Sequence, residues 1–169
     1  MMKEIPDHLQ TGLSIVFIGF NPSLKSGEVG HHYANPRNNF WRILQRSGLT
    51  PRLYTAAEDH ELLELGYGFT NIVARPTRAA DEITREEYKQ GRQILRDKLA
   101  LYRPQVACFV GKGVYTEFSQ RSKVDWGFQE NPVIPDVCEF VAPSSSGLVR
   151  MPMEEIVAIY RQLQKYIEC

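Results

Sequence analysis

Four apolar runs punctuate the chain, and the stretches between them repeat their apolar positions at helical spacing. Residues 13–20 (LSIVFIGF) are nearly all apolar, as expected of a strand covered on both faces in a parallel sheet. Residues 68–73 (GFTNIV) and 105–112 (QVACFVGK) read as further strands, and residues 137–146 (VCEFVAPSSS) as a last strand with its exit loop. In NNFWRILQRSG, Phe40, Ile43, Leu44 and Ser47 share one helical face, and Gly48 suits the left-handed position that ends a helix. A short helical stretch is expected over 57–65. Thr84-Arg85-Glu86-Glu87 forms a capping box that opens the longest helix, whose stripe is Tyr88, Gly91, Leu95, Leu99 and Tyr102 and whose end is marked by Pro104. Another helix runs through VYTEFSQ. Pro152 fits the first position of the last one, with Ile156, Ile159, Tyr160, Leu163 and Ile167 as its apolar face. Strands alternating with helices predict an α/β fold: one three-layer αβα domain over 1–169 with a central, mostly parallel sheet.

Composition narrows the function classes. The chain has 169 residues, 43% hydrophobic and 24% charged, as ordinary globular domains do, and its formal net charge is zero. Binding to nucleic acid or membrane must therefore rest on a local patch. Cys108, Cys138 and Cys169 are odd in number, far apart and without zinc-ligand spacing, which predicts two buried strand thiols and a free terminal one. No apolar run approaches eighteen residues, and the polar N-terminal stretch lacks a signal core, so a cytoplasmic protein (nuclear in a eukaryote) without membrane contact is expected.

Ligands of parallel α/β sheets bind beyond the carboxyl ends of the strands, which directs attention to the loops after Phe20, Val73, Gly111 and Ala142. The first is unusually long and irregular: GFNPSLKSGEVGHHYANPRNNFW. It holds no GxGxxG, no GxxxxGK[ST] occurs anywhere, and Gly111-Lys112-Gly113 is too short for a phosphate loop, so no nucleotide cofactor is expected. His31-His32 lacks a third ligand at suitable spacing, so no metal is expected either. Lys25, His31, His32, Arg37, Lys112 and Arg150 all fall in sheet-end loops and predict a positive face on a neutral protein.

Four ordered segments then carry a resemblance: GFNPS (Gly19, Phe20, Asn21, Pro22, Ser23), the aromatic of HHYANPRNNFW (Tyr33), GFTNIV (Asn71) and APSSSGLVR (residues 142–150). Together they resemble the mismatch-specific uracil/thymine-DNA glycosylase family of the uracil-DNA glycosylase superfamily, over essentially the whole domain. This chain departs from the family pattern at Phe20, where Ile is usual, at Ser23, where Gly stands, at Ala142, often an Asn, and in the extra serines before Gly147.

The resemblance implies a glycosylase without cofactor, probing double-stranded DNA for a damaged or mismatched base, acting as a monomer. It hydrolyses the N-glycosidic bond of uracil, above all opposite guanine. Such an enzyme must extrude the nucleotide into a pocket. Asn21 would position the attacking water. An amide is a poor general base near neutral pH, so bond breaking would run ahead of water attack through an oxocarbenium-like sugar. Gly19, Phe20, Pro22 and Ser23 would line the base pocket, backbone N–H groups near Phe20 and Tyr33 would donate to the base carbonyls, Tyr33 would stack on the base, and Asn71 would bond to its edge or to the water. Ser26 falls where the family discriminates against the thymine methyl group. Leu148 would wedge into the vacated stack, with the main chains of Gly147 and Val149 reading the widowed guanine. Ser144, Ser145 and Ser146 would contact phosphates or form a simple flexible turn, and Arg150 would flank the wedge or hold a phosphate. No lysine matches a nucleophile position, which implies hydrolysis without strand cleavage. Another deaminated or alkylated base as substrate, or a non-catalytic binder of damaged DNA, are the alternatives.

Overall fold

The computed structural model describes residues 4–167. Five strands form one sheet in the order β2-β1-β3-β5-β4: β1 is Ile15–Gly19, β2 Tyr67–Asn71, β3 Val106–Val110, β4 Gly127–Phe128 and β5 Cys138–Ala142. The first four in that order run parallel, and β4 pairs antiparallel to β5 at the edge. Each apolar run thus became a strand, shortened at its ends except that β2 begins one residue earlier, at Tyr67, and with 143–146 left as the exit loop of β5. The two-residue β4 was not foreseen, because so short a strand leaves no periodicity.

Alternation within each strand divides the core into two layers. Ile15 and Phe17 of β1, Cys108 of β3 and Phe140 of β5 face one side, where they pack with Phe40, Trp41, Ile43 and Leu44 of helix α2 (Phe40–Arg46) and with Ile156 and Tyr160 of helix α5 (Met153–Arg161). Val16, Ile18, Phe109 and Val141 face the other, against Leu95 and Leu99 of helix α3 (Arg85–Tyr102) and Val114, Tyr115 and Phe118 of helix α4 (Lys112–Ser119). Helices on both faces of a mostly parallel sheet give the expected three-layer α/β architecture. One carboxylate sits in this core. Glu139 of β5 is fully buried yet satisfied, accepting from Tyr115 Oη at 2.7 Å and from the amides of Val133 and Ile134.

The capping box forms as read: Thr84 Oγ1 accepts from Glu87 N at 3.1 Å, and Thr84 N donates to Glu87 Oε1 at 3.0 Å. Three expectations need correction. The loop after β1 is not wholly irregular, because Leu24–Val29 forms helix α1 with Ser23 as N-cap. Pro152 stands one position earlier than expected: its ψ of 143° is extended, which makes it the N-cap rather than the first helical residue. The last helix is also interrupted, ending at Arg161 and resuming as helix α6 (Gln164–Ile167). The 56–65 stretch (Ala56–Leu65) winds as a 3-10 helix. Cys108 is buried but Cys138 only partly so. Cys169 and the side chain of Ile167 lie outside the described residues.

Candidate active site

The carboxyl ends of β1, β2, β3 and β5 converge on one cavity of about 200 Å³. By the ~30 Å³ share of a liquid water it holds about six or seven waters, the scale of a single nucleobase. Gly19, Phe20, Asn21, Pro22 and Ser23 enter its wall from β1, Ser26 from α1, Tyr33 from the following loop, Asn71 from β2 and Ser144 and Ser145 from β5. Every residue assigned to the base pocket from sequence therefore meets here. No Asp, Glu or Lys is among the described residues lining it.

Asn21 is held in a defined orientation. Its Nδ2 donates to the Arg75 carbonyl at 2.7 Å and to Thr77 Oγ1 at 2.8 Å, and the Thr77 hydroxyl donates onward to the Ala79 carbonyl at 2.8 Å. A carbonyl accepts only, so the nitrogen end of the amide is fixed by chemistry rather than by choice of flip. Both amide hydrogens are spent. Oδ1, which has no hydrogen bond among the described residues, is the acceptor left for a ligand or water. The segment that does this clamping is itself clamped: the Arg75 guanidinium makes a two-point pair with Glu87 at 2.8 and 2.9 Å and donates to the Glu82 carbonyl. The pair holds the Glu87 carboxyl down at about 2.

Gly19 lies beside Asn71 by necessity. A Cβ there would come within 2.7 Å of Asn71 Oδ1 and 3.4 Å of Tyr33 Oη. Register puts Gly19 opposite Asn71 on the neighbouring strand, so the two reach the cavity side by side. Tyr33 adopts a φ of 52°, a left-handed conformation that costs a non-glycine residue about 1 kcal/mol or more. That turn lays its ring flat on Phe40, with centroids 3.9 Å apart and planes 8° from parallel, and Trp41 Nε1 donates to its carbonyl. One ring face is thereby covered by Phe40, and the residue also lines the cavity. Burial raises the Tyr33 phenol well above its ordinary range, so it stays neutral. Its Oη and Ser145 Oγ are both buried in the cavity wall without a hydrogen-bond partner among the described residues. Unpaired buried hydroxyls cost about 1–3 kcal/mol each, which a polar ligand would relieve.

Three sequence assignments change in detail. The Ser26 hydroxyl accepts from Ala34 N at 3.0 Å, so it fastens the loop as well as lining the cavity. The Phe20 ring turns away into the second core layer, near Tyr88 and against Gly113, where a Cβ would strike it at 2.5 Å. His32 does not add to a positive face: it is buried, and desolvation pushes it down to about 4, hence neutral at physiological pH. Lys112 keeps its charge and lies over the Trp126 ring, 4.4 Å from the centroid.

The 144–150 loop stands at the cavity rim as a chain of tight turns. Ser146 N donates to Ser144 Oγ, Leu148 N to Ser146 Oγ and Val149 N to Ser146 O. The Val149 amide is thus engaged within the loop. Gly147 passes so close to the Arg37 carbonyl that a Cβ would lie 2.5 Å from it. Leu148 is left 88% exposed, the most exposed large apolar side chain among the described residues. Beside it an open groove runs along Ser23, Asn35, Arg37, Asn38, Arg78 and Ser146. Arg150 is exposed nearby in sequence but does not line either hollow.

Arg75, Thr77 and Arg78 were not found from sequence. Arg75 acts through its carbonyl, which no side-chain pattern reports, and Thr77 sits in a loop (ARPTRAA) with no periodicity.

Comparison with known proteins agrees with this geometry. The family model of the uracil DNA glycosylase superfamily matches residues 6–166. The fold is similar to the solution NMR structure of a candidate uracil DNA glycosylase from Methanosarcina acetivorans, with a TM-score of 0.57 and 19% identity over 96% of this chain and 98% of that one. A clamped asparagine beside a base-sized cavity at the strand ends, in a chain matched almost throughout, makes this protein a member of the uracil DNA glycosylase superfamily, and so of the DNA N-glycosylase hydrolases.

Proposed function

We propose that the protein is a monofunctional DNA glycosylase that excises uracil from double-stranded DNA, with G·U mismatches as its foremost substrate. The observation that carries this reading is the Asn21 clamp: with both amide hydrogens held by Arg75 O and Thr77 Oγ1, Oδ1 alone faces chemistry. A water donating to Oδ1 keeps its lone pair free for C1′ of the deoxyribose. Among the described residues, the cavity wall offers neither carboxylate to take a proton nor lysine to form a Schiff base. Departure of the base therefore leads, leaving an oxocarbenium-like sugar that water then captures, and its proton passes to solvent. The departing base carries the electron pair of the broken bond. Asn71 and backbone N–H groups near Phe20 would stabilise that charge by hydrogen bonds, in the manner of an oxyanion hole.

Extrusion is supported at the rim. Leu148, apolar and exposed, can fill the vacated stack, and Arg37 and Arg78 line the groove where phosphates would run. Tyr33, which lines the cavity, would stack on the base. With His32 and Tyr33 neutral, Arg78 is the one charged side chain among the described residues that line the pocket.

The test is base release from one duplex sequence carrying G·U, A·U, G·T, hypoxanthine or an etheno adduct, read as alkali-labile cleavage. Release from G·U with no strand cleavage before alkali is expected. Release confined to other lesions would reassign the substrate. Retention on lesion DNA without release from any duplex would make the protein a binder and overturn the catalytic reading.

A further inference from the structure

The chain contains four histidines, His8, His31, His32 and His60, and all four gather around one buried carboxylate, Asp59. Asp59 is 1% exposed. Its Oδ2 accepts from the His32 amide at 2.8 Å and its Oδ1 from His31 Nδ1 at 3.1 Å, while His60 Nδ1 stands 3.8 Å from Oδ1. A carboxylate offers about four lone-pair positions, so acceptor capacity remains after these two hydrogen bonds.

Two imidazoles stand beside that carboxylate, each with a ring nitrogen not engaged in a hydrogen bond among the described residues. His32 Nε2 lies 2.9 Å from the Pro6 carbonyl, which can only accept, so the proton is on Nε2 and the lone pair on Nδ1. A ring N–H given to a backbone carbonyl is also how metal-bound histidines are commonly oriented. His8 packs edge-on to His32 with centroids 4.8 Å apart, and its Nδ1 is buried without a partner among the described residues. One ligand-type atom from each of His8, His32 and Asp59 lies within 4.8 Å of the other two.

We propose that His8, His32 and Asp59 form a binding site for a divalent transition ion of the zinc class. Two neutral imidazoles and one carboxylate are the donor set that such ions favour. Bonds of about 2.1 Å require ligand atoms about 3.4 Å apart in a tetrahedron, so loading draws the three groups together by roughly an ångström. A site of this kind ties together three segments distant in sequence: the N-terminal arm through His8, the 3-10 helix through Asp59, and the Tyr33 loop through His32. His32 also lines the base cavity and directly precedes Tyr33. The ion therefore acts as a structural pin behind the stacking ring, independent of the hydrolysis itself.

The test uses the full chain stripped with chelator and titrated with Zn²⁺ against a chromophoric competitor, with Co²⁺ as a spectroscopic substitute. One ion per chain is expected, with a rise in melting temperature and a tetrahedral Co²⁺ spectrum. His8→Gln should weaken binding at least tenfold, whereas His60→Gln, at a 66% exposed side chain, should leave it unchanged. Imidazole NMR signals of the wild-type chain give a readout that needs no variant: His8 and His32 should move on titration and His60 should not. Absence of stoichiometric binding, binding that survives His8→Gln, or loss that follows His60→Gln would each overturn the site.

Discussion

Thr77→Val isolates the clamp from every other feature of the pocket. Valine matches threonine in shape and removes only the hydroxyl, at a position 4% exposed. Two hydrogen bonds go with it, from Asn21 Nδ2 at 2.8 Å and to the Ala79 carbonyl at 2.8 Å. Asn21 then keeps a single anchor, the Arg75 carbonyl, and one of its amide hydrogens is left unpaired beside an apolar methyl. A polar group so stranded costs about 1–3 kcal/mol, which the side chain escapes by rotating away from the orientation that presents Oδ1. If that cost falls wholly on the productive orientation, the rate of bond cleavage drops by roughly 5- to 150-fold. The assay is single-turnover base release from a G·U duplex, run well below the variant's own melting temperature, alongside a measurement of duplex affinity. Cleavage should slow while affinity holds, and Thr77→Ser should restore the rate to within about threefold, since it keeps the hydroxyl. A Thr77→Val enzyme as fast as wild type, or a serine variant as slow as the valine one, would refute the clamp.

Three more outcomes follow from the same geometry. Leu148→Ala should leave thermal stability within about 0.5 kcal/mol, because the side chain is 88% exposed, yet lower release from duplex about tenfold or more and spare single-stranded substrate, where no stack needs filling. Equal losses on both substrates would remove the wedge role. Gly19→Ala should push Asn71 aside, since its Cβ falls 2.7 Å from Oδ1, and lower release more than tenfold without abolishing DNA binding; an unimpaired variant would mean that Asn71 does not touch the base. Stability should fall with acid in the absence of metal. Burial holds His32 at about 4 in the folded state against 6.5 unfolded, so between these values only the unfolded chain takes up the proton. The folded state loses about 3 kcal/mol as pH drops from above 6.5 to about 4, with His8, lowered by burial too, acting in the same direction. Denaturant melts across this window should show the slope, and His32→Gln should flatten it. Identical slopes in the two proteins would contradict the assignment.

How much of this was legible in the sequence depends on how local the cause was. β1 and β3 are continuous apolar runs because both faces of a parallel sheet are covered, β5 is one broken only by Glu139, and Thr84 with Glu87 announces α3 through a four-residue pattern. The pocket residues Asn21, Tyr33 and Asn71 were readable through the family resemblance that their segments carry, since an Asn before Pro or at a strand end also suits a plain turn, and the cavity gathers all three. α1 escaped notice because LKSGEV carries a glycine and no apolar stripe, and its signal was a single N-cap serine. Thr77, the Arg75 carbonyl and the meeting of His8 with Asp59 depend on contacts between residues about fifty apart, which no local pattern encodes. The His31-His32 pair drew attention as a doubtful metal motif for lack of a third ligand, and the fold is what brings Asp59 and His8 to it.

The central claim is that Asn21 serves the chemical step on a base already swung into the cavity. Asn21→Ala, mixed with a duplex carrying 2-aminopurine next to a G·U pair, measures this most directly, since fluorescence reports unstacking and alkali cleavage reports release. The account predicts affinity and fluorescence rise close to wild type with release slowed about 100-fold or more. Release at the wild-type rate from the same complex would contradict it.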